Sequence, residues 1–153
     1  RYRYLISNHS YHSPFTKNKS WQVGQILDID LMKQAAEVLI GEHDFSAFRS
    51  SNCNSPNTVK DIREISIGKS NFQNSILQIE IEANSFLQHM VRIITGTLVE
   101  AGQARISCAD VEKALNNGDR NLAGCTAPAH GLYSLKVIYP DGLVSWTPEV
   151  IDN

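Results

Sequence analysis

Arg92 carries the sharpest chemical question in this 153-residue sequence, because it interrupts an apolar run, Phe86-Leu87-Gln88-His89-Met90-Val91-Arg92-Ile93-Ile94. A guanidinium keeps its charge, so burying it requires a partner. At the positions three and four residues away on a helix stand Gln88, His89, Thr95 and Gly96, and no acid. Either the head of Arg92 snorkels to water, or it meets an acid brought from another part of the molecule. Pattern alone favours snorkelling, since most Arg heads reach solvent. Three other groupings have chemical potential. His43-Asp44-Phe45-Ser46 mixes base, acid and hydroxyl, the raw material of a hydrolase. Adjacency in sequence does not make a triad, however, and a packed turn with Phe45 and Phe48 as core plugs explains it more simply. Glu80 and Glu82 share one face of a strand, which is a paired-carboxylate arrangement but also the ordinary wet face of an antiparallel sheet. From Arg1 to Leu27 there are four Lys/Arg, two His and no acid, interleaved with Tyr2, Tyr4, Tyr11, Phe15 and Trp21. Cations track phosphates and aromatic faces stack bases, so this stretch suits a nucleic-acid surface; a basic edge strand with tyrosines anchored in the core has the same pattern and by itself is the simpler reading.

The elements that must position these residues follow from periodicity. Arg1–Ile6 reads as a strand and residues 8–21 as a loop. Asp28 or Asp30 caps a helix through Ile40, with Leu31, Ala35, Val38 and Leu39 inward and Gly41 ending it. Ser50–Thr58 is a polar loop. Val59–Ile67 and Ser75–Ala83 form a hairpin turning at 71–75, with Leu77, Ile79, Ile81 and Ala83 on one face of the second strand. The central element is a buried helix from Ser85 to Gly102, with a Ser85/Gln88 capping box, an apolar face of Phe86, Met90, Ile94 and Leu98, and a left-handed Gly102 at its end. Ser107 and Asp110 cap another helix, stopped by Asn117-Gly118. Residues 121–131 form an irregular connection without a phosphate-loop pattern. Leu132–Tyr139 is a last strand, closed by Pro140-Asp141-Gly142. The expected fold is α+β: a mostly antiparallel sheet with helices packed on one face, of the split β-α-β kind.

Composition narrows the class. Apolar residues make up 42% of the sequence, enough for one compact domain with a core, and the net charge of −2 confines any nucleic-acid site to a local patch. Cys53, Cys108 and Cys125 are scattered, which reads as reduced thiols of a cytoplasmic protein and not as a zinc site. No apolar run reaches membrane-spanning length. The chain opens in mid-strand, so residues are expected before Arg1.

Several stretches together resemble one family, the tRNA pseudouridine synthases of the TruA type. They are Arg1-Tyr2-Arg3-Tyr4 with Asn8; Leu39 to Arg49; Ala83-Asn84-Ser85-Phe86-Leu87-Gln88-His89-Met90-Val91-Arg92 with Gly96; Asp119-Arg120 with Ala123; Thr126-Ala127-Pro128; and Gly131-Leu132-Tyr133 with Tyr139-Pro140. The resemblance implies that Arg92 ion-pairs with a catalytic Asp, which reverses the preference for snorkelling. It implies that Tyr2 lies against the target base with Leu132 packed beside it. The family's nucleophile belongs to an Arg-Thr-Asp box that this sequence lacks; Asp44, Asp61, Asp110 and Asp119 all lie in other contexts. Residues 1–153 are therefore expected to be the C-terminal domain, inactive without an N-terminal catalytic-Asp domain. The implied reaction isomerises uridine in the tRNA anticodon stem-loop with no cofactor and no metal. The implied partners are tRNA, the protein's own N-terminal domain and a second subunit of a cytoplasmic homodimer. Arg1 and Arg3, with Lys17 and Lys19, would line the RNA cleft. Tyr2 needs only its ring to stack on uracil, whereas relaying the C5 proton would demand more of its hydroxyl. Ser134 replaces the family's usual hydrophobic residue after Gly-Leu-Tyr. His43 and His89 are expected to hold backbone by hydrogen bonds. A non-catalytic RNA-binding or dimerisation module is the alternative, favoured by the missing nucleophile and opposed by Arg92.

Overall fold

The structure, a computed structural model, describes residues 1–10, 14–70 and 73–139. It has six strands and three helices: β1 (Tyr2–Asn8), β2 (Trp21–Val23), α1 (Ile29–Glu37), β3 (Gly41–Asp44), β4 (Val59–Ser70), β5 (Gln73–Ala83), α2 (Met90–Gly102), α3 (Cys108–Asn117) and β6 (Leu132–Ser134). The sheet order is β2-β1-β5-β4-β3. β6 shares an edge of β1 with β2, pairing Tyr2–Tyr4 while β2 pairs Ile6–Asn8. Among the described residues only β1–β2 is parallel. The α+β sheet-and-helix plan expected from the sequence is the observed one.

Strand alternation divides the sheet chemically. Tyr4 and Ile6 on β1, Ile79 and Ile81 on β5, and Ile62 on β4 are fully buried and join one core with α1, α2 and α3. Arg3 and Glu80, directly opposite each other, point from the other face. α2 is enclosed: of its residues, only Arg92 and Glu100 escape full burial. α1 packs against α2 so closely that a Cβ on Gly102 would lie 2.7 Å from Met32 Cγ.

Several local expectations hold. Asp28 caps α1 by accepting from the Asp30 and Leu31 N–H groups. Ser107 and Asp110 form a complete capping box on α3. The β4–β5 hairpin is present, and Phe45 and Phe48 are fully buried. Others are corrected. α1 stops at Glu37, not Ile40, and leads through Val38–Ile40 to Gly41, whose φ of +103° turns the chain into β3. α1 buries Met32, Ala35 and Ala36, whereas Leu31 is half-buried. α2 starts at Met90, not at a Ser85 cap. The Asn84 side chain accepts from the Ser85 and Asp61 N–H groups, and the Gln88 carbonyl accepts from the Ser50 N–H. His89 then enters the helix in a left-handed conformation, φ 63°. These loop contacts use the backbone groups that a helix from Ser85 would have needed. Gly102 is not left-handed; its missing Cβ matters instead, at the contact with Met32. The last strand ends at Ser134, and Val137–Tyr139 are exposed. β2 and β3 were not foreseen. Pro140-Asp141-Gly142 and part of the 71–75 turn lie outside the described residues.

Candidate active site

Arg92 belongs to the first turn of α2, not to its middle. The N–H groups of a helix's first turn lack partners within the helix and carry its positive dipole end. A guanidinium there adds to that potential instead of compensating it. Arg92 is half-buried, and it forms no ion pair among the described residues. Its Nε donates to the Ala127 carbonyl at 2.7 Å. A carbonyl lowers the cost of burying the charge without cancelling it, so the cleft keeps an uncompensated positive charge.

Residues 123–128 run back along α2 and are tied to it at three levels. The Gly124 N–H donates to Thr97 Oγ1 at 2.8 Å, the Cys125 N–H to Glu100 Oε1 at 2.8 Å, and the Ala127 N–H to the Arg92 carbonyl at 3.1 Å. The approach is possible because α2 presents Gly96, where an added Cβ would lie 1.8 Å from the Cys125 carbonyl oxygen. Both incompletely buried residues of α2, Arg92 and Glu100, hold this returning segment.

Tyr2 and Leu132 complete the cleft. Tyr2 stands at the start of β1, with Phe86 edge-on to its ring at 5.2 Å between centroids. Leu132, at the start of β6, pairs with Tyr4, and Ser134 pairs with Tyr2. Tyr2, Phe86, Gln88, His89, Arg92 and Leu132 line one opening of about 250 Å³. The structure thus brings together three of the residues singled out in the sequence, Tyr2, Arg92 and Leu132. Phe86, and the backbone of Ala127, were not assigned a place there. Phe86 has the spacing of a core-facing helical residue, and a carbonyl contact leaves no mark in residue type.

Arg1 and Arg3 are placed elsewhere, on the sheet face away from the helices. Arg1 reaches Glu82 through Nε and Glu64 through Nη2, both at 2.8 Å, and Arg3 donates twice to Glu80 Oε1, at 2.9 and 2.7 Å. The Arg1 hydrogen bond holds the Glu82 carboxyl below its usual range, against a smaller opposing effect of desolvation. Glu80 and Glu82 are ion-paired carboxylates, and Arg1, Arg3 and Arg63 balance Glu64, Glu80 and Glu82 on this face. Lys17 and Lys19 are exposed, with the Tyr133 hydroxyl donating to the Lys19 carbonyl.

The hydrolase grouping does not assemble. His43 Nε2 donates to the Ile40 carbonyl at 2.9 Å, as expected of a structural histidine, and Asp44 accepts from the Ser46 N–H. His89 differs from expectation: its side chain lines the cleft and holds no backbone group among the described residues. Cys53, Cys108 and Cys125 are free thiols, no group of metal-ligating side chains occurs among the described residues, and no described helix is long and apolar enough to cross a membrane.

This α+β domain sets a half-buried arginine, without an ion pair among the described residues, and the rings of Tyr2 and Phe86 on one cleft. Comparison with known proteins specifies the class. The chain belongs to the tRNA pseudouridine synthase family, whose sequence model matches residues 35–140. It is 43% identical over 139 residues to a tRNA pseudouridine synthase A of Thermoanaerobacter sp. (strain X514), covering 91% of this chain and 56% of that protein. It is 40% identical over 148 residues to the protein of the same description from Myxococcus xanthus, covering 97% and 55%. It is also 40% identical over 138 residues to the one from Geotalea daltonii, covering 90% and 55%. The chain spans about half the length of the curated relatives it matches.

Proposed function

We propose that this chain is the C-terminal, arginine-bearing half of a tRNA pseudouridine synthase that isomerises uridine in the anticodon stem-loop. The observation that carries the reading is Arg92, charged, half-buried and without an acid among the described residues. A nucleophilic Asp from a separate N-terminal domain would supply the missing anion. An opposite charge within about 4–6 Å lowers a carboxyl pKa by about 1–3. Arg92 therefore keeps that Asp ionised and aimed. The target uridine leaves its stack at a cost of a few kcal/mol. Its base then lies against the Tyr2 ring, with Leu132 beside it. The glycosidic bond at N1 breaks and the base is rejoined through C5, so reactant and product are isomers and no redox group is called for. The whole enzyme acts as a cytoplasmic homodimer that holds tRNA across both subunits.

The test is release of tritium from C5-labelled uridine in tRNA. The 153-residue chain alone should release none, while the full-length gene product with its Asp-bearing half should turn over. Turnover by the chain alone would place the nucleophile within it and overturn the assignment. A full-length product that binds tRNA with strong salt dependence but never turns over would favour the RNA-binding module.

A further inference from the structure

Tyr4 lies two residues along β1 from Tyr2 and is fully buried. Its hydroxyl donates to the Pro128 carbonyl at 2.5 Å. The carbonyl one residue earlier, Ala127, accepts from Arg92 Nε. The near end of the same segment is held by Arg120, through Nη1 to the Gly124 carbonyl at 2.8 Å and Nη2 to Thr126 Oγ1 at 3.3 Å. Residues 124–128 are thus fixed at both ends and present one carbonyl to one side of the Arg92 fork.

This has a consequence for how an acid can approach. A carboxylate binds a guanidinium in two bidentate ways: side-on, to Nε–H and one Nη–H, or end-on, to one N–H from each Nη. The Ala127 carbonyl already occupies the Nε–H. We propose that Tyr4 and residues 126–128 are a positioning device that blocks the side-on edge of Arg92 and leaves the end-on Nη pair as its only carboxylate-binding edge. The proposal rests on the reading of Arg92 as the partner of an incoming Asp, and extends it by naming what sets the direction of approach. Tyr4 suits the task because burial, the largest influence, pushes its phenol well above the usual range, although the nearby charge of Arg92 opposes this. It therefore remains an O–H donor to Pro128 at any working pH.

The experiment compares Tyr4→Phe, Thr126→Val and Arg92→Ala in the full-length gene product. Tyr4→Phe removes one hydroxyl from the core. Thr126→Val, at an exposed position, loosens the same segment without touching the core. Both should lower kcat by about tenfold or more, with KM for tRNA within about twofold, because misaiming by a fraction of an ångström acts on the chemical step. In both, the Arg92 Nε–H resonance of protein labelled with 15N-arginine should exchange faster with solvent than in the unaltered protein. If kcat and the exchange rate are unchanged in both variants while Arg92→Ala is inactive, the positioning role is overturned and the function of Arg92 stands. If Arg92→Ala is fully active, the underlying reading itself falls.

Discussion

The Nε–H of Arg92 donates to the Ala127 carbonyl at 2.7 Å, and the Ala127 N–H donates back to the Arg92 carbonyl at 3.1 Å. Two bonds in opposite senses join side chain to main chain and main chain to main chain. The orientation of the cleft's one guanidinium therefore depends on a segment 35 residues further along the chain. Whatever holds that segment against α2 also shapes the site.

Gly96 is where this dependence should be most severe. Its Cβ would fall 1.8 Å from a backbone oxygen that a side-chain rotation cannot move away. Gly96→Ala should destabilise the fold by about 3 kcal/mol or more, as overpacking at a rigid contact does. Urea denaturation checks it: the midpoint should fall clearly, and an unchanged midpoint would mean that residues 124–126 do not pack on α2 as described.

The α3 cap gives a pH-dependent prediction. The Ser107 hydroxyl first, and then its N–H, hold the Asp110 carboxyl below its usual range against a smaller effect of desolvation. A depressed carboxyl stabilises the folded state above the ordinary aspartate pKa and loses that contribution as pH falls through its folded value. Asp110→Asn should therefore lower the urea midpoint at neutral pH, and the difference from the unaltered protein should close as the solution is acidified below the ordinary aspartate range. Ser107→Ala should cost about 1 kcal/mol at neutral pH. A difference that widens on acidification would contradict the linkage.

The ion pairs on the far face of the sheet predict a division of labour. Arg3 is ion-paired with Glu80 through Nε and Nη2 and faces away from the Arg92 cleft. Arg3→Gln should change stability by no more than about 1 kcal/mol, as partly exposed pairs do. The affinity for tRNA should stay within about twofold, where each lost phosphate contact would also lessen the salt dependence. A tenfold loss of affinity with a shallower salt slope would return this face to the RNA-binding surface.

Tyr2 separates ring from hydroxyl. Tyr2→Phe keeps the edge-on contact with Phe86 and the stacking face. It should bind tRNA about as well as the unaltered enzyme. Tyr2→Ala removes the ring and should weaken productive binding by about 1–3 kcal/mol, the usual worth of one stacked base. Equal affinities in the two variants would exclude stacking.

The site was legible in the sequence where residue type forces an outcome. An arginine inside Met90-Val91-Arg92-Ile93-Ile94 poses its own question, and the alternating β5 strand and the Ser107/Asp110 box were equally plain. The entry to α2 is concealed because Ser85 and Gln88 have the spacing of a capping box. In the folded chain Asn84 and Ser50 claim the local backbone groups, and His89 takes the left-handed turn. That shift of the cap by four residues, from Ser85 to His89, moved Arg92 to the helix's positive end and freed Phe86 to meet Tyr2. β2 and β3, at three and four residues, are too short to show a period. The pairing of Arg1 and Arg3 with glutamates depends on strand register, which their basic context concealed.

The most direct measurement is the rate of C5 tritium release from labelled tRNA by the full-length gene product carrying Arg92→Ala, at saturating tRNA and with folding confirmed by its unfolding midpoint. Loss of one partner of a catalytic ion pair should reduce kcat by roughly 100-fold or more while tRNA still binds. A variant that turns over at the unaltered rate would show that Arg92 has no part in the chemistry and that the cleft beside Tyr2 serves another purpose.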